Sequence, residues 1–368
     1  MGIGKNGFYT SKDILKHNCE WNVIYGERAP GKSFDIKTLG LTEAWETKKP
    51  CFGLIRRQKV DIETDQVEGY FIDRNVNTVE QITGGEYTFI QYWRKALYFA
   101  RVDNDESSPR YGKVIRGPKC GEVFALSTSK HYKSTGHPDI DFIVYEEFIS
   151  EDGFYLEDEP HKLENLISTI MRKDSKCRIF LIGNTLSRVC PYFLEWGLKN
   201  IRKQKPGTID IYHHENTEGE TISIAVEHCP PSPHKSKLFF GRAAKSIQGG
   251  AWYTGSYPHL PEEYEKYDDI YDITYHSRDD FFFTLRVLVH NVEGYIVVYI
   301  HPAKHICDRQ ISSAFDTDIM ITPQLDMTNP AEMLIRECFI KNKVVYSDNQ
   351  CAQDFVDSCK AEMRNPFL

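Results

Sequence analysis

Short apolar runs alternate with amphipathic stretches along the first half of the chain. The pattern predicts buried strands at residues 21–25, 51–55, 140–145 and 178–182. Apolar side chains recur at helical spacing over residues 163–171. Nearly continuous apolar strands that alternate with helices are typical of a mainly parallel sheet covered by helices on both faces. We therefore predict an α/β fold for this half.

The pattern changes after residues 205–207. Before that point, residues 80–127 predict antiparallel strands, with a turn expected at Gly117-Pro118. Beyond it, helices are predicted at 235–247 and 329–339 and long strands at 281–290 and 294–301. The chain therefore divides into a first domain (1–207), a partly helical linker (208–270) and a C-terminal α+β domain (271–368).

Composition excludes several classes of protein. The 368 residues are 40% hydrophobic and 27% charged, which rules out a disordered or fibrous chain. No apolar run approaches the roughly 20 residues of a membrane helix, and the N-terminus lacks the apolar region of a signal peptide. The net charge of −8 argues against a protein that coats nucleic acid through bulk charge.

A phosphate-binding loop follows the first predicted strand. Residues 26–33, GERAPGKS, match the pattern G-x-x-x-x-G-K-[ST] in full. Glycines let backbone N–H groups converge on phosphate oxygens, the lysine reaches the β- and γ-phosphates, and the serine hydroxyl binds Mg²⁺. The loop predicts ATP and Mg²⁺ as ligands. The predicted nucleotide-binding residues are Gly26, Glu27, Arg28, Ala29, Pro30, Gly31, Lys32, Ser33 and Phe34.

Two carboxylates follow the strand predicted at 140–145. An ATPase needs acidic groups at a neighbouring strand end to hold Mg²⁺ and to orient the attacking water. We assign Glu146 to the Mg²⁺ shell together with Ser33, and Glu147 to the general base. The first acid of such pairs is usually Asp, so Glu146 is longer by one methylene.

Further polar residues are candidates for the same site. Asn184 ends the next strand, where its amide could bond the γ-phosphate or the lytic water, although a simple strand-to-helix turn explains it almost as well. Arg172 and Lys133 are catalytic candidates that would act on a neighbouring subunit's ATP, against the alternative of ordinary surface cations. Arg28 and Arg178 are further candidates for this role, and Arg28 could instead reach its own γ-phosphate.

Four stretches together resemble the DNA-packaging ATPases of phi29-type phages, relatives of the large terminases. They are GERAPGKS at 26–33, LIRR at 54–57, ALSTSKHYKSTGHPDIDFIVYEEF at 125–148 and ENLISTIMRKDSKCRIFLIGNT at 164–185. The resemblance covers roughly residues 20–205. Beyond residue 205 it depends on architecture alone.

The resemblance implies a P-loop NTPase of the ASCE type that drives double-stranded DNA into a preformed prohead. It implies a homopentameric ring at the portal (connector), in the host cytoplasm, with a prohead structural RNA as a further partner in the phi29 group. It also implies an RNase H-like C-terminal domain that has lost its nuclease activity. By position, the family's roles fall on Lys32, Ser33, Glu146, Glu147, Arg172 and Lys133.

Residue placement agrees with a lost nuclease, because strands 281–290 and 294–301 contain no interior carboxylate. Asp279 and Asp280 precede the first of these strands, and Asp308, Asp316 and Asp318 lie in predicted loops. Three alternatives remain open at this point. The chain could be a large terminase with an active nuclease, another P-loop motor such as a helicase, or a non-hydrolysing, ATP-gated structural protein that binds nucleic acid.

Overall fold

The chain folds as two compact units in a computed structural model. The first unit contains Met1–Phe148, Leu156–Thr185 and Asn200–Ala251, and the second contains Ile149–Tyr155, Leu186–Lys199 and Trp252–Leu368. The structure describes residues 4, 7–28, 31–73, 76–132, 136–171, 177–234, 237–238, 240, 241–248, 250–312, 324–361 and 367.

Fourteen strands are formed by the described residues: β1 (Trp21–Gly26), β2 (Phe52–Arg56), β3 (Phe89–Trp93), β4 (Ala96–Val102), β5 (Val114–Ala125), β6 (Phe142–Glu146), β7 (Arg178–Asn184), β8 (Thr208–Glu215), β9 (Thr221–His228), β10 (Tyr267–His276), β11 (Phe282–His290), β12 (Ile296–Pro302), β13 (Gln310–Ser312) and β14 (Val344–Tyr346). The α-helices of the same residues are α1 (Lys12–Leu15), α2 (Lys32–Thr47), α3 (Thr64–Tyr70), α4 (Thr78–Thr83), α5 (Glu159–Ile170), α6 (Pro191–Glu195), α7 (Gly241–Gln248), α8 (Pro330–Ile340) and α9 (Asn349–Ala361). Short 3₁₀ helices cover Lys59–Ile62, Leu126–Tyr132 and Tyr264–Lys266. None of the helices in these ranges has the length and apolar character needed to cross a membrane.

The first unit contains a nine-stranded sheet in the order β3-β4-β5-β2-β6-β7-β1-β9-β8. The six strands from β5 to β9 in this order are mutually parallel, and β3, β4 and β8 are added by antiparallel pairing. The predicted mixed α/β fold with a large, mostly parallel sheet is therefore confirmed. Strand β7 lies between β1 and β6, so the ends of these three strands meet at one edge of the sheet.

Helix α2 packs closely on this sheet because residue 40 is a glycine. A Cβ at Gly40 would lie 2.4 Å from a ring carbon of Phe52 and 2.8 Å from ring carbons of Phe142. These rings are fully buried on β2 and β6, in the core that also contains Phe180 of β7. The missing side chain lets the helix backbone approach the central strands, which fixes the position of the helix N-terminus at the sheet edge.

Two sequence expectations differ from the structure. Residues 208–228, expected in a linker, form β8 and β9, and β9 pairs with β1 at the centre of the first unit. Strand β8 is an edge strand with no fully buried residue, so its sequence lacks the continuous apolar run that marked the central strands. Gly117-Pro118, expected at a turn, lies inside β5, where the pairing with β4 shifts register. Proline has no N–H for the ladder and is accommodated at such an irregularity.

The second unit contains a five-stranded sheet in the order β13-β10-β11-β12-β14. Strands β10, β11 and β12 form an antiparallel meander, while β13 and β14 are added parallel to β10 and β12 at its two edges. Its core includes Tyr275, Phe283, Ile300 and Phe355.

Candidate functional site

The phosphate-binding loop connects β1 to α2 at the carboxyl edge of the parallel sheet. Gly26 is the last residue of β1 and pairs with Asn184 at the end of β7. Gly31 has φ +98° and immediately precedes α2, a backbone conformation that side chains other than glycine rarely adopt. The first turn of α2 therefore directs its N–H groups and the positive end of its dipole at the space above the loop.

Lys32 is held inside the loop. Its ammonium group donates to the backbone carbonyl of Glu27 and lies 3.3 Å from Oδ1 of Asn184. The side chain is buried, and burial lowers the pKa of this amine. Because burial disfavours the charged amine, an anionic group bound in the cavity would stabilise the charged form of Lys32.

Glu146 is a buried carboxylate at the end of β6. Ser33 Oγ donates to its Oε2 at 3.1 Å, and Tyr70 of α3 donates from its hydroxyl to Oε1 at 2.7 Å. Burial raises the pKa of Glu146, while the bonds from Tyr70 and Ser33 act in the opposite direction. Burial and the nearby Glu146 charge raise the pKa of Tyr70 well above 10, so Tyr70 stays a donor.

Glu147 has a different environment although it is the next residue. Its φ is +58°, a left-handed conformation uncommon for a residue other than glycine. Its side chain is 65% exposed, and its Oε2 lies 2.9 Å from Nη2 of Arg56. Arg56 ends β2, which pairs in parallel with β6. The two consecutive acids are thus separated into one buried carboxylate and one accessible, ion-paired carboxylate.

A cavity of about 230 Å³ lies above the loop. Its lining residues are Arg28, Gly31, Lys32, Ser33, Phe34, Glu146, Glu147, Ile182, Gly183 and Asn184. Glu27 is buried at the start of the loop, and its carboxylate accepts a hydrogen bond from the backbone N–H of Ser232. Phe34 is 39% exposed.

The structure therefore brings together most of the residues predicted from sequence. Gly26, Glu27 and Arg28 lie in the loop, while Gly31, Lys32, Ser33, Phe34, Glu146, Glu147 and Asn184 line the cavity. Ala29, Pro30, Lys133 and Arg172 lie outside the described residues. Arg178 begins β7, six residues before Asn184, and pairs with Glu43. At about 3.3 Å per residue, its Cα is roughly 20 Å from that of Asn184.

Sequence reasoning missed Tyr70 and Arg56. Arg56 could have been found, since it follows a strand expected beside the acidic one and parallel strands end at one edge. Tyr70 carries no comparable signal, because it comes from a short helix whose position depends on tertiary packing.

The oxygen atoms at the site suit a Mg²⁺ ion. Mg²⁺ prefers hard oxygen ligands and keeps several waters. Ser33 Oγ and Glu146 Oε2 are 3.1 Å apart and face the same cavity, beside the lysine that would meet the phosphates. The donor set therefore fits the ion expected with a nucleoside triphosphate.

Comparisons with known proteins agree with this geometry. Residues 106–217 match the model of the family described as Podovirus DNA encapsidation protein (Gp16). The chain is 26% identical over 250 residues to the DNA packaging protein of Bacillus phage phi29. The aligned region covers 67% of this chain and 65% of the relative. The chain is 33% identical over 187 residues to the DNA packaging protein of Bacillus phage B103, covering 50% of each.

A solved structure shares the fold. It is the bacteriophage phi29 viral genome packaging motor assembly, in which one chain matches with a TM-score of 0.54 at 22% identity, over 97% of this chain and 99% of that chain. The matched region spans about two thirds of the phi29 protein's sequence and half of the B103 protein's. The resemblance drawn from the phosphate loop and the acidic strand end is confirmed: in sequence, this chain is similar to the DNA packaging proteins of phi29-type phages.

Proposed function

We propose that this chain is the ATPase of a viral DNA-packaging motor, which hydrolyses ATP at the cavity above Lys32. The observation that carries the proposal is the arrangement of Lys32, Ser33, Glu146 and Glu147 around one cavity at the carboxyl edge of the sheet. The position of β7 between β1 and β6 supports the ASCE type of P-loop NTPase. Sequence similarity to phage DNA packaging proteins supports the coupling to DNA.

In the proposed reaction, backbone N–H groups of the loop and Lys32 bind the β- and γ-phosphates. Ser33 and Glu146 would hold Mg²⁺, which when bound would neutralise charge on the phosphate oxygens. Glu147 accepts a proton from water as the water oxygen bonds to the γ-phosphorus, and the bond from that phosphorus to the bridging oxygen of ADP breaks. Asn184 contacts the γ-phosphate or the attacking water and reports hydrolysis to β7.

The proposed reaction also requires cations that stabilise the transition state. Developing charge on the transferred phosphoryl group is stabilised by an arginine or lysine supplied in cis or in trans. Arg172 and Lys133 are proposed for a neighbouring subunit's site, by position in the family. Arg28 lines the cavity of its own chain and is proposed to contact its own γ-phosphate.

The second unit is proposed to be an RNase H-like domain without nuclease activity. Its meander with parallel strands at both edges supports a nuclease-like ancestry. Carboxylates on β10 are held by an arginine: Asp272 makes two bonds with Arg286, and Asp269 pairs with the same guanidinium. Ion-paired carboxylates are poor ligands for the two metals of a nuclease. We propose a domain boundary after residue 251 rather than at 207, in agreement with the division into two compact units.

The proposed oligomeric assembly is based on the similarity to phage DNA packaging proteins. We propose a homopentameric ring on the portal of a prohead in the host cytoplasm, with double-stranded DNA as the cargo and a prohead structural RNA as a further partner. Supporting this proposal, the relatives carry the names of DNA packaging proteins and a matching chain comes from a phi29 packaging motor assembly.

Nucleotide assays on the full chain test the site. Glu147→Gln should bind a fluorescent ATP analogue with Mg²⁺ but lose turnover by about a hundred- to ten-thousand-fold, the range for a general base. Lys32→Ala should lose nucleotide binding as well. Glu46→Gln and Lys49→Ala are the matched controls, since Glu46 is exposed in the last turn of α2 and Lys49 is exposed just after the helix. Unchanged turnover in both site variants would refute the assignment.

Packaging assays test the motor. With proheads and duplex DNA, the wild-type chain should render DNA resistant to added nuclease in an ATP-dependent manner, and Glu147→Gln should not. ATP turnover without any protected DNA would support the assignment as an ATPase and contradict the assignment as a packaging motor. Duplex unwinding would favour a helicase instead, and DNA cleavage abolished by Asp279→Asn would favour an active terminase.

A further inference from the structure

The outer end of the large sheet carries positive charge that the chain as a whole lacks. Residues 89–125, which contain β3, β4 and β5, hold seven Lys or Arg against four Asp or Glu, whereas the chain has a net charge of −8. Three of the acids lie at 103–106, at the opposite end of β4 from the β3–β4 turn. A strand of this length spans roughly 20 Å, while charges are screened over about 8 Å at physiological salt. The fourth acid, Glu122, lies opposite Ala96 near the turn and is already paired with Lys119 and His137. Among the described residues, none of the four acids is therefore paired with the cations of the turn.

The β3–β4 turn places two cations at its tip. Arg94 and Lys95 have φ of +50° and +66°, the left-handed pair that a tight two-residue hairpin turn requires. Both side chains are exposed. Such a turn usually uses Asn and Gly, so cationic residues here accept a less favourable backbone conformation.

Aromatic rings next to the turn hold the arginines in place. The guanidinium carbons of Arg94 and Arg116 lie 4.3 and 4.0 Å from the centre of the Trp93 ring, and Arg116 lies 5.0 Å from that of Tyr98. Nε of Arg116 also donates to Oε1 of Gln91 at 2.9 Å. Trp93 itself is 39% exposed.

Strand register places these groups on one face. Tyr98 pairs with Gln91 of β3, and residue 100, two positions along β4, pairs with Arg116 of β5. The opposite face of β4 carries Leu97 and Phe99, which are buried in the core. We name Trp93, Tyr98 and Arg116, together with Arg94 and Lys95 of the adjoining turn, the arginine–tryptophan face. The Lys95 ammonium group lies 5.1 Å from the centre of the Tyr132 ring. Within the part of the chain that the structure describes, no carboxylate pairs with its three cations.

We propose that the arginine–tryptophan face binds the phosphate backbone of double-stranded DNA. Guanidinium groups match phosphate oxygens in two-point contacts, and stacking on a ring leaves their in-plane N–H groups available. Because Trp93 and Gln91 already order the arginine side chains, less side-chain entropy is lost when DNA binds. Two guanidinium groups over one indole leave little of the ring for a base, which favours phosphate contacts over base stacking. The inference rests on the proposed function and adds a DNA-contacting surface outside the nucleotide site.

Fluorescence anisotropy with a short labelled DNA duplex tests this surface in the full chain. Each phosphate contact loses about three- to fourfold in affinity between about 50 and 200 mM salt. The double variant Arg94→Ala/Arg116→Ala should bind the duplex more weakly than wild type at low salt. Between about 50 and 200 mM salt, its fold loss of affinity should be roughly ten times smaller than that of wild type. Arg110→Ala/Lys113→Ala is the matched control, because it removes two exposed charges at the other end of the same strands.

A second variant separates stacking from charge. Trp93→Leu keeps all three cations and should weaken binding while leaving the salt dependence unchanged. Equal losses in the Arg94/Arg116 and Arg110/Lys113 variants would overturn the proposal, because general charge would then explain binding. A variant with unaltered DNA binding but altered self-association would also overturn it, since the face would be a contact between copies. Absence of duplex binding in wild type would refute the DNA motor itself, whereas wild-type binding that the Arg94/Arg116 variant retains would refute this surface alone.

Discussion

Arg56 and Glu147 form an ion pair at 2.9 Å across the edge of two parallel strands, although the proposed role of Glu147 is to activate water in the adjacent cavity. The guanidinium holds one oxygen of the carboxylate in a charge-assisted hydrogen bond, so that oxygen is engaged while the pair lasts. The pair is partly exposed, so it contributes at most about 1 kcal/mol to folding. Its consequence for activity is therefore separable from its consequence for stability.

Replacing Arg56 tests this relationship. Arg56→Ala should raise ATP turnover in the absence of DNA several-fold, because Glu147 is released from its partner, while the melting temperature stays close to that of wild type. Arg56→Lys should restore the low basal rate, and Lys59→Ala, a neighbouring exposed cation, should change nothing. Turnover that falls in Arg56→Ala would show instead that the arginine assists the reaction.

Tyr70 is expected to control the acid limb of the pH–rate profile. Its hydroxyl donates to the ionised form of Glu146, whose pKa burial already raises. Tyr70→Phe removes that bond, so the pKa of Glu146 should rise further and the acid limb of kcat/KM should move to higher pH. Tyr111→Phe, at a 56% exposed position, is the control. A profile unmoved by Tyr70→Phe would exclude this coupling.

Gly40 and Gly69 should respond to alanine with opposite signs. At Gly40 the new methyl group would meet buried rings, so Gly40→Ala should lower the free energy of unfolding by about 1–3 kcal/mol. At Gly69, in α3, no atom lies within 4 Å of an added Cβ, and alanine should stabilise the helix by up to about 1 kcal/mol. Urea unfolding monitored by tryptophan fluorescence measures both. Equal effects at the two sites would contradict the close approach of α2 to the sheet.

Glu227 should make the stability of the first unit depend on pH. It is buried on β9 and accepts a bond from Tyr9 at 2.7 Å, and burial raises its pKa from 4.5 to about 7. The folded chain therefore holds a proton that the unfolded chain releases above about pH 4.5. Stability is greatest below that pH and falls as pH rises through about 7, by on the order of 3 kcal/mol for this group.

Thermal unfolding between these pH values checks the sign. Glu227→Gln should flatten the decline in melting temperature, because the amide cannot ionise, and the exposed Glu218→Gln should not. A decline that persists undiminished in Glu227→Gln would assign the pH dependence to other groups.

The sequence by itself determined the phosphate loop, the acidic strand end and the parallel sheet, because each depends on local spacing. A glycine–lysine–serine loop binds phosphate mainly through its own backbone N–H groups, so a short stretch of sequence identifies it. A strand that is buried on both faces must be apolar throughout. Asn184 could be placed near Lys32 for the same reason, since parallel strands end at one edge.

Tertiary structure alone decided the rest. Whether Glu146 is buried against Tyr70 or Glu147 paired with Arg56 depends on which helices and strands become neighbours, and these partners lie 76 and 91 residues away in the chain. The membership of β8 and β9 in the large sheet, and the meeting of Trp93 with Arg116, follow from strand register. Which strands become neighbours in the sheet is decided by the packing of the whole unit, and the pattern within one strand does not identify its partner.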